Sequence, residues 1–306
     1  MKFLKILAIA LLLTAVSCTL DKTDYEDEIS IIVPEYFDFK EVVSFNTGSY
    51  KISIEALNGT FYKGYNEIHL KIMNSLNNQN VNATNVTFLP IQTFEGNKTS
   101  CPHLYNLQYD SEEDYFKGYV VFTNETSAMN NWELYTSFEE NNQEYFVNHP
   151  ISVQNQANKN LNMTEFTGND GIHYFIALVA PQKPKVAEND LVAGIYKYNI
   201  PTNSAGDFPD SSQFSYSEAN NYTLKLDPRM PEPSMGNHSS PNNRDLTQQA
   251  DGLYHGIVNY TMTGNWTLNF IMLNQNGQIV KGTLVPTDFT PGVEGVKSEL
   301  HIDTLF

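Results

Sequence analysis

Two methionines and a histidine, Met230, Met235 and His238, lie within nine residues of one another, in the run 228–238 that also contains three prolines. Thioether sulfur suits Cu(I), and imidazole binds both Cu(I) and Cu(II). The prolines reduce the freedom that an unfolded loop loses when it closes around an ion. The run therefore predicts a copper site. The same residues also allow a structural interpretation, in which both methionines pack over the end of a domain and His238 faces solvent.

Two further residues follow the loop. His255 begins the next predicted strand, which places it at the same end of the domain as Met230 and makes it a candidate fourth ligand, although it could equally be a surface histidine. Met262 lies seven residues further along, about 23 Å away in an extended chain. We therefore expect Met262 at the opposite end of the domain, as a core residue.

The first half of the chain offers a mixed pair, Cys101 and His103. Aligning Pro90 with Pro228 sets Gln92 opposite Met230, and a three-residue gap then brings His103 to the position of His238. The pair could bind a metal, or Cys101 could be a buried thiol without a chemical role.

The elements that must position these residues are strands. Short β-branched and aromatic runs are bounded by Asn, Gly or Pro, and no segment keeps a helical apolar stripe for three turns. The predicted strands of the first half are Tyr50–Leu57, Glu67–Met73, Val86–Ile91, Tyr115–Phe122 and Trp132–Phe138. Those of the second half are Ile172–Val179, Leu191–Asn199, Tyr222–Leu226, Leu253–Met262, Trp266–Leu273 and Gln278–Val285.

The two halves also match in residues. The segment 115–122 and Trp132 align with 253–260 and Trp266, and these are the two tryptophans of the chain. One at the same place in each half predicts that both are core residues. We expect an all-β protein of two tandem immunoglobulin-like sandwiches. Its predicted organisation is a signal peptide (1–17), an acidic tether (18–48), a first sandwich (49–153), a linker (154–170), a second sandwich (171–288) and a C-terminal tail (289–306).

The second half resembles the YtkA-like/FixH-like family of small extracytoplasmic domains. The likeness rests on Met230-Pro231, Met235-Gly236, His238, Tyr254-x-Gly256 and the run Met262-Thr263-Gly264-Asn265-Trp266. It covers roughly residues 172–286, with a weaker echo over residues 50–153. The family is associated with copper handling and oxidase assembly, so the resemblance implies a sandwich whose Met/His loop binds copper. Two insertions depart from the family pattern, Glu232-Pro233 and Asn237.

The first seventeen residues carry two lysines before an apolar run and are typical of a secretory signal. Leu13 to Cys18 resembles a bacterial lipobox, which predicts that Cys18 becomes the lipid-bearing N-terminus. We therefore expect a chain anchored by lipid in the bacterial cell envelope, in the periplasm or at the cell surface. The alternative is an ordinary signal with an incidental cysteine.

The net charge and the motifs of the chain disfavour two classes of function. Thirty-five acidic against eighteen basic residues give a net charge of −17, which disfavours nucleic-acid binding. No enzyme motif is recognisable, so we expect a non-enzyme. We predict an envelope lipoprotein that binds copper for handling or delivery, with a metal-accepting or envelope protein as its partner. The alternative is a surface adhesion or envelope-assembly module that binds protein or glycan without metal.

Overall fold

The computed structural model describes residues 38–156, 158–202 and 209–305, and these form strands and two short 3-10 turns, at Lys159–Leu161 and Ser211–Phe214. The predicted all-β class is confirmed. Among these residues no helix has the length and apolarity to cross a membrane. The predicted signal peptide and Cys18 lie outside the described residues.

The first half contains twelve strands in two main sheets. They are β1 (Phe39–Thr47), β2 (Tyr50–Leu57), β3 (Phe61–Tyr62), β4 (Gly64–Asn74), β5 (Gln79–Asn80), β6 (Thr84–Phe94), β7 (Asn97–Thr99), β8 (Gln108–Asp110), β9 (Tyr115–Phe122), β10 (Asn130–Glu140), β11 (Gln143–Ile151) and β12 (Val153–Gln154). One sheet has the order β1-β2-β4-β9-β8, with β5 beside β4, and the other has the order β11-β10-β6-β7. A short parallel pair, β12 and β3, completes this half.

The second half contains eleven strands. They are β13 (Met163–Thr167), β14 (His173–Ala180), β15 (Glu188–Tyr198), β16 (Tyr216–Glu218), β17 (Thr223–Met230), β18 (His238–Ser239), β19 (Arg244–Gln248), β20 (Tyr254–Asn259), β21 (Asn265–Leu273), β22 (Ile279–Lys281) and β23 (Leu300–Leu305). Their order is β13-β14-β15-β20-β19-β17-β21-β22, with β16 beside β15, β18 beside β17 and β23 beside β21. Strand β19 pairs with both β20 and β17, so it joins the two layers.

The two halves repeat one pairing scheme. The order β1-β2-β4-β9-β8 matches β13-β14-β15-β20-β19, and β10-β6-β7 matches β21-β17-β18. The register agrees as well, since Pro90 pairs with Leu134 and Pro228 pairs with Leu268. The alignment of residues between the halves therefore corresponds to an alignment of their strands.

Each half has its own core, formed where inward side chains of its two layers meet. In β2 the side chains alternate strictly between buried and half-buried, as expected for a strand with one face on a core. Trp132 and Trp266 are both buried within these cores, which confirms the prediction made for them. Each indole N–H donates to a backbone carbonyl, of Asn124 and Met262 respectively, so neither ring buries an unpaired donor.

Three segments that we expected outside the sandwiches are strands. Strand β1 lies within the predicted tether and pairs with β2. Strand β13 lies within the predicted linker and pairs with β14. Strand β23 lies within the predicted tail and pairs with β21. The predicted last strand, Gln278–Val285, is reduced to β22. In both β1 and β13 no more than one side chain is fully buried, so their sequences lack the strong apolar pattern of a central strand.

The two halves pack directly against each other. Val121 on β9 packs in a cluster with Phe175 and Tyr196 from β14 and β15. Phe214 from the second half packs against Leu89 on β6 in a further cluster. Because these contacts are apolar and buried, they hold the halves in one arrangement.

Gly118 and Gly256 occupy equivalent positions in the two halves, but different atoms surround them. A Cβ at Gly256 would lie 2.6 Å from the backbone oxygen of Arg244, whereas one at Gly118 would lie 2.4 Å from a terminal methyl of Leu107. We expect Gly256→Ala to lower the free energy of unfolding by about 2 kcal/mol, because a paired backbone cannot move aside. Gly118→Ala should cost less, since a side chain can change its rotamer. Urea unfolding of both variants measures this, and an equal or larger loss for Gly118→Ala would contradict the explanation.

Candidate metal centre and cleft

The Met/His loop forms the connection of a hairpin between β17 and β18. Met230 ends β17, and His238 begins β18 as its direct partner across the antiparallel pair. Backbone hydrogen bonds from Met235 N to the Glu232 carbonyl and from His238 N to the Met235 carbonyl close the turn. Residues directly opposite each other in such a pair project to the same side, so Met230 and His238 are brought together.

The two methionines of the loop differ in exposure. Met230 is only 2% exposed and belongs to the core of the second half, whereas Met235 is half-buried and packs against that core. The terminal methyl of Met230 lies against Gly264, where a Cβ would be 2.8 Å from it. The thioether of Met230 is therefore turned inward, at the end of the core, with Met235 nearer to solvent.

His238 is half-exposed at the same end. Its Nε2 is 2.9 Å from the hydroxyl of Thr261, and its ring lies edge to face with Trp266 at 6.0 Å between centroids. Because Nε2 is bonded to Thr261, Nδ1 is the ring nitrogen left for another partner.

Met262 lies at this end too, contrary to our expectation. Its carbonyl accepts the indole N–H of Trp266 at 3.1 Å, and its side chain packs, half-buried, on the same core as Met230. The long connection after β17 contains β19, which runs the length of the sandwich before β20 begins. Strand β20 therefore returns towards Met230, so its last residues, and not its first, reach the Met/His end.

The placement predicted for His255 is wrong for the same reason. His255 lies at the start of β20, opposite Val192 and Thr247, at the far end of the strand. Five residues separate it from Tyr260, or about 17 Å of extended chain. Its Nε2 contacts the carboxylate of Asp251 at 2.9 Å on the surface. His255 therefore lies at the opposite end of β20 from the Met/His loop.

The connection between β22 and β23 covers the loop. Asn237 donates its side-chain amide to the carbonyl of Pro286, and Gly295 N donates to the carbonyl of Pro231. Phe289 lies over Gly236. These contacts hold the hairpin from outside the sheet. They also bury Asn237, whose side-chain oxygen has no hydrogen-bond partner.

The first half lacks these donors at the equivalent positions. Gln92 stands where Met230 does, and its partner across β7 is Thr99, so Thr99 and not His103 corresponds to His238. The amide of Gln92 donates to Asn130 at 2.6 Å, in the space that Met230 fills beside Gly264 in the second half.

Cys101 and His103 do not form a thiol–imidazole pair. Cys101 is buried in the first core as a free thiol, and His103 Nδ1 contacts the carbonyl oxygen of Cys101 at 2.6 Å. Burial raises the pKa of the thiol, which disfavours the thiolate that binds metal. Across the described part of the chain, no three His, Cys, Asp or Glu residues are grouped as metal ligands.

A second feature, which sequence reasoning missed, is a cleft of about 590 Å³ where the two halves meet. Tyr105 and Tyr119 line it from the first half, and Phe214, Tyr216 and Glu218 line it from the second. Because the cleft forms between residues about one hundred positions apart, no local pattern predicts it. The high tyrosine content of the chain was the only sequence feature that pointed to an aromatic cleft.

The cleft carries little charge. Burial lowers the pKa of His103, at its edge, to about 4, so the imidazole is neutral at pH 7. Burial, with a smaller contribution from Asp251, raises the pKa of Glu218. Of the described residues that line the cleft, none is a lysine or an arginine.

Comparisons with known proteins do not assign a family. No family model and no curated protein matches the chain. Among solved structures, the chain is similar to a conserved domain protein from Bacillus anthracis, with 10% identity over 89% of this chain and 93% of that one, and a TM-score of 0.28. It is also similar to FdeC, an Escherichia coli adhesin, with 10% identity over 82% of this chain and 66% of that one, and a TM-score of 0.23.

The neutral buried imidazole predicts a pH dependence of stability. Below pH 6.5 the unfolded chain protonates His103, whereas the folded chain does not until about pH 4. The free energy of unfolding should therefore fall by roughly 3 kcal/mol through this group as pH drops from 7 to 4. His103→Gln keeps an N–H donor but does not titrate, so its loss over the same range should be smaller by that amount. Urea unfolding at pH 7 and pH 4 checks this, and equal losses would contradict it.

Proposed function

We propose that this chain is a cell-envelope lipoprotein whose second sandwich binds Cu(I) through Met230, Met235 and His238, for copper handling or delivery. The observation that carries the proposal is the direct pairing of Met230 with His238 across the hairpin, beside Trp266. His255, a candidate ligand in the sequence, has no part in it because of its distance.

The donor set favours a soft monovalent ion. Thioethers are neutral at any pH, and together with one imidazole they match Cu(I) better than hard divalent ions, which prefer oxygen. Met262 adds a third thioether at the same end. Trp266 adds an aromatic ring, and an indole face attracts a nearby cation.

Burial determines how the ion would be held. Met230 supplies a sulfur at the end of the buried core, while Met235 and His238 are only half-buried. Coordination through Nδ1 of His238 would preserve the hydrogen bond between Nε2 and Thr261. An ion entering from solvent would therefore meet Met235 and His238 first and Met230 last.

The envelope location rests on the lipobox, in which Cys18 carries the lipid. An anchored chain would meet copper outside the cytoplasm. There, thioether ligands have an advantage over cysteine because they do not form disulfides. Its partner would be a metal-accepting or envelope protein.

Cu(I) titration of the purified protein against a competing chelator tests the proposal. We expect one ion per chain. Met230→Leu, Met235→Leu and His238→Gln should each weaken binding at least tenfold, because each removes a donor while largely keeping the volume of the side chain. Met262→Leu should weaken copper binding only if the thioether of Met262 is a fourth donor.

His255→Gln is the matched control, since it removes an imidazole at the other end of β20, and it should bind copper as the native protein does. Absence of stoichiometric Cu(I) binding, or equal binding by the Met230, Met235 and His238 variants, would refute the copper proposal. The metal-independent adhesion or assembly module would then be the better hypothesis. A pull-down from cell envelopes under chelation would test it.

A further inference from the structure

We propose that the cleft between the two halves binds a neutral saccharide, which stacks on its tyrosines and is hydrogen-bonded by its hydroxyl and amide side chains. The residues concerned are separate from the Met/His loop, so this inference does not rest on the copper proposal.

The cleft has the size and position of a ligand site. Its volume of about 590 Å³ lies within the range of roughly 300–1,000 Å³ that small-ligand pockets occupy. It lies where two sandwiches meet, a common place for such pockets. Both halves contribute walls, so the site exists only because the halves are packed together.

The aromatic rings of the cleft are held in place before any ligand arrives. The Tyr216 hydroxyl donates to the carbonyl of Ser100 at 2.9 Å, and its ring contacts Tyr198 at 5.3 Å between centroids. Tyr119 contacts Tyr65 and Tyr196, with centroids 5.9 and 5.0 Å away. Binding of a ligand that stacks on these rings therefore costs little side-chain conformational entropy.

The charge of the cleft selects against anions. The described lining contains no lysine or arginine, and His103 is neutral at pH 7. Glu218 is the one carboxyl group among the described lining residues, and the chain as a whole is strongly acidic. Phosphorylated, sulfated or uronic ligands would meet repulsion with no compensating cation.

The polar part of the lining favours a saccharide over a peptide. Asn106, Gln108 and Ser212 supply hydroxyl and amide groups that both donate and accept, as sugar hydroxyls do. Ser217 can still accept beside its bond to Asn199, and Asn220 can still donate beside its bond to Gln248. A peptide strand would need an exposed sheet edge, but the edge strands here, β8 and β16, are three residues long. Sugar rings also present apolar C–H faces that suit tyrosine rings beside these groups.

Screening the purified protein on an array of neutral and acidic oligosaccharides, with a metal chelator present, tests the inference. We expect binding to neutral structures only. Calorimetry with the best neutral oligosaccharide should then give a dissociation constant that rises at least tenfold in Ser212→Trp, because Ser212 is exposed and an indole there fills the cleft. Tyr216→Ala should weaken binding similarly, by removing the stacking ring.

Phe94→Ala removes an exposed aromatic side chain outside the cleft and should bind as the native protein does. Circular dichroism and Tm establish that each variant is folded. Ser212→Trp keeps the inference testable if Tyr216→Ala does not fold. Three results would overturn the proposal: no binding to any neutral oligosaccharide, preference for acidic ones, or unchanged affinity in folded Ser212→Trp. Copper titration of Ser212→Trp should match the native protein, so the two proposals can fail separately.

Discussion

The burial of one indole ring in each half is the constraint on which the rest of the structure depends. Trp266 contacts Tyr260 at 5.3 Å and donates its N–H to the carbonyl of Met262, so it ties together the end of β20, the following turn and the start of β21. A buried tryptophan is worth several kcal/mol of stability. Because Trp266 lies on β21, its burial also fixes the position of that strand. Strand β17 pairs with β21, with Arg229 opposite Thr267, so the position of β17 and of the hairpin that follows it depends on β21.

The sequence predicted the central strands well and the edges poorly. β2 and β9 begin and end where their apolar patterns do, and the two tryptophans correctly indicated a repeated core. The strands that were missed lie mostly at edges. Along β11, side chains alternate between exposed and half-buried from Glu144 to Pro150, so the pattern is that of a surface segment. Such strands are held by the pairing of their backbone with a neighbour, which composition does not reveal.

The sequence placed Met230, Met235 and His238 in one loop, but it did not show which other residues lie at the same end of the sandwich. Whether two residues share an end of a sandwich depends on how many strands lie between them, and β19 was hidden in what looked like one long loop. That single strand reverses the direction of β20. It moves His255 away from Met230 and brings Met262 towards it. A five-residue strand of mixed polarity, Arg244–Gln248, was therefore enough to misplace the candidate ligand His255 and the expected core residue Met262.

The two halves fill equivalent positions at the end of the core with different side chains. In the first half, Gln92 and Asn130 fill the space at the end of the core with a hydrogen bond, while in the second half Met230 fills it beside Gly264, whose missing side chain leaves room for the thioether. The strand register is the same in both, so the exchange costs the scaffold nothing in backbone geometry. The first half also contributes the rings of Tyr105 and Tyr119 to the cleft, opposite Phe214 and Tyr216 of the second half. The cores of the two halves are built alike, whereas the ends of the cores and the outer faces of the sheets differ, because those positions can change without altering whether each half folds.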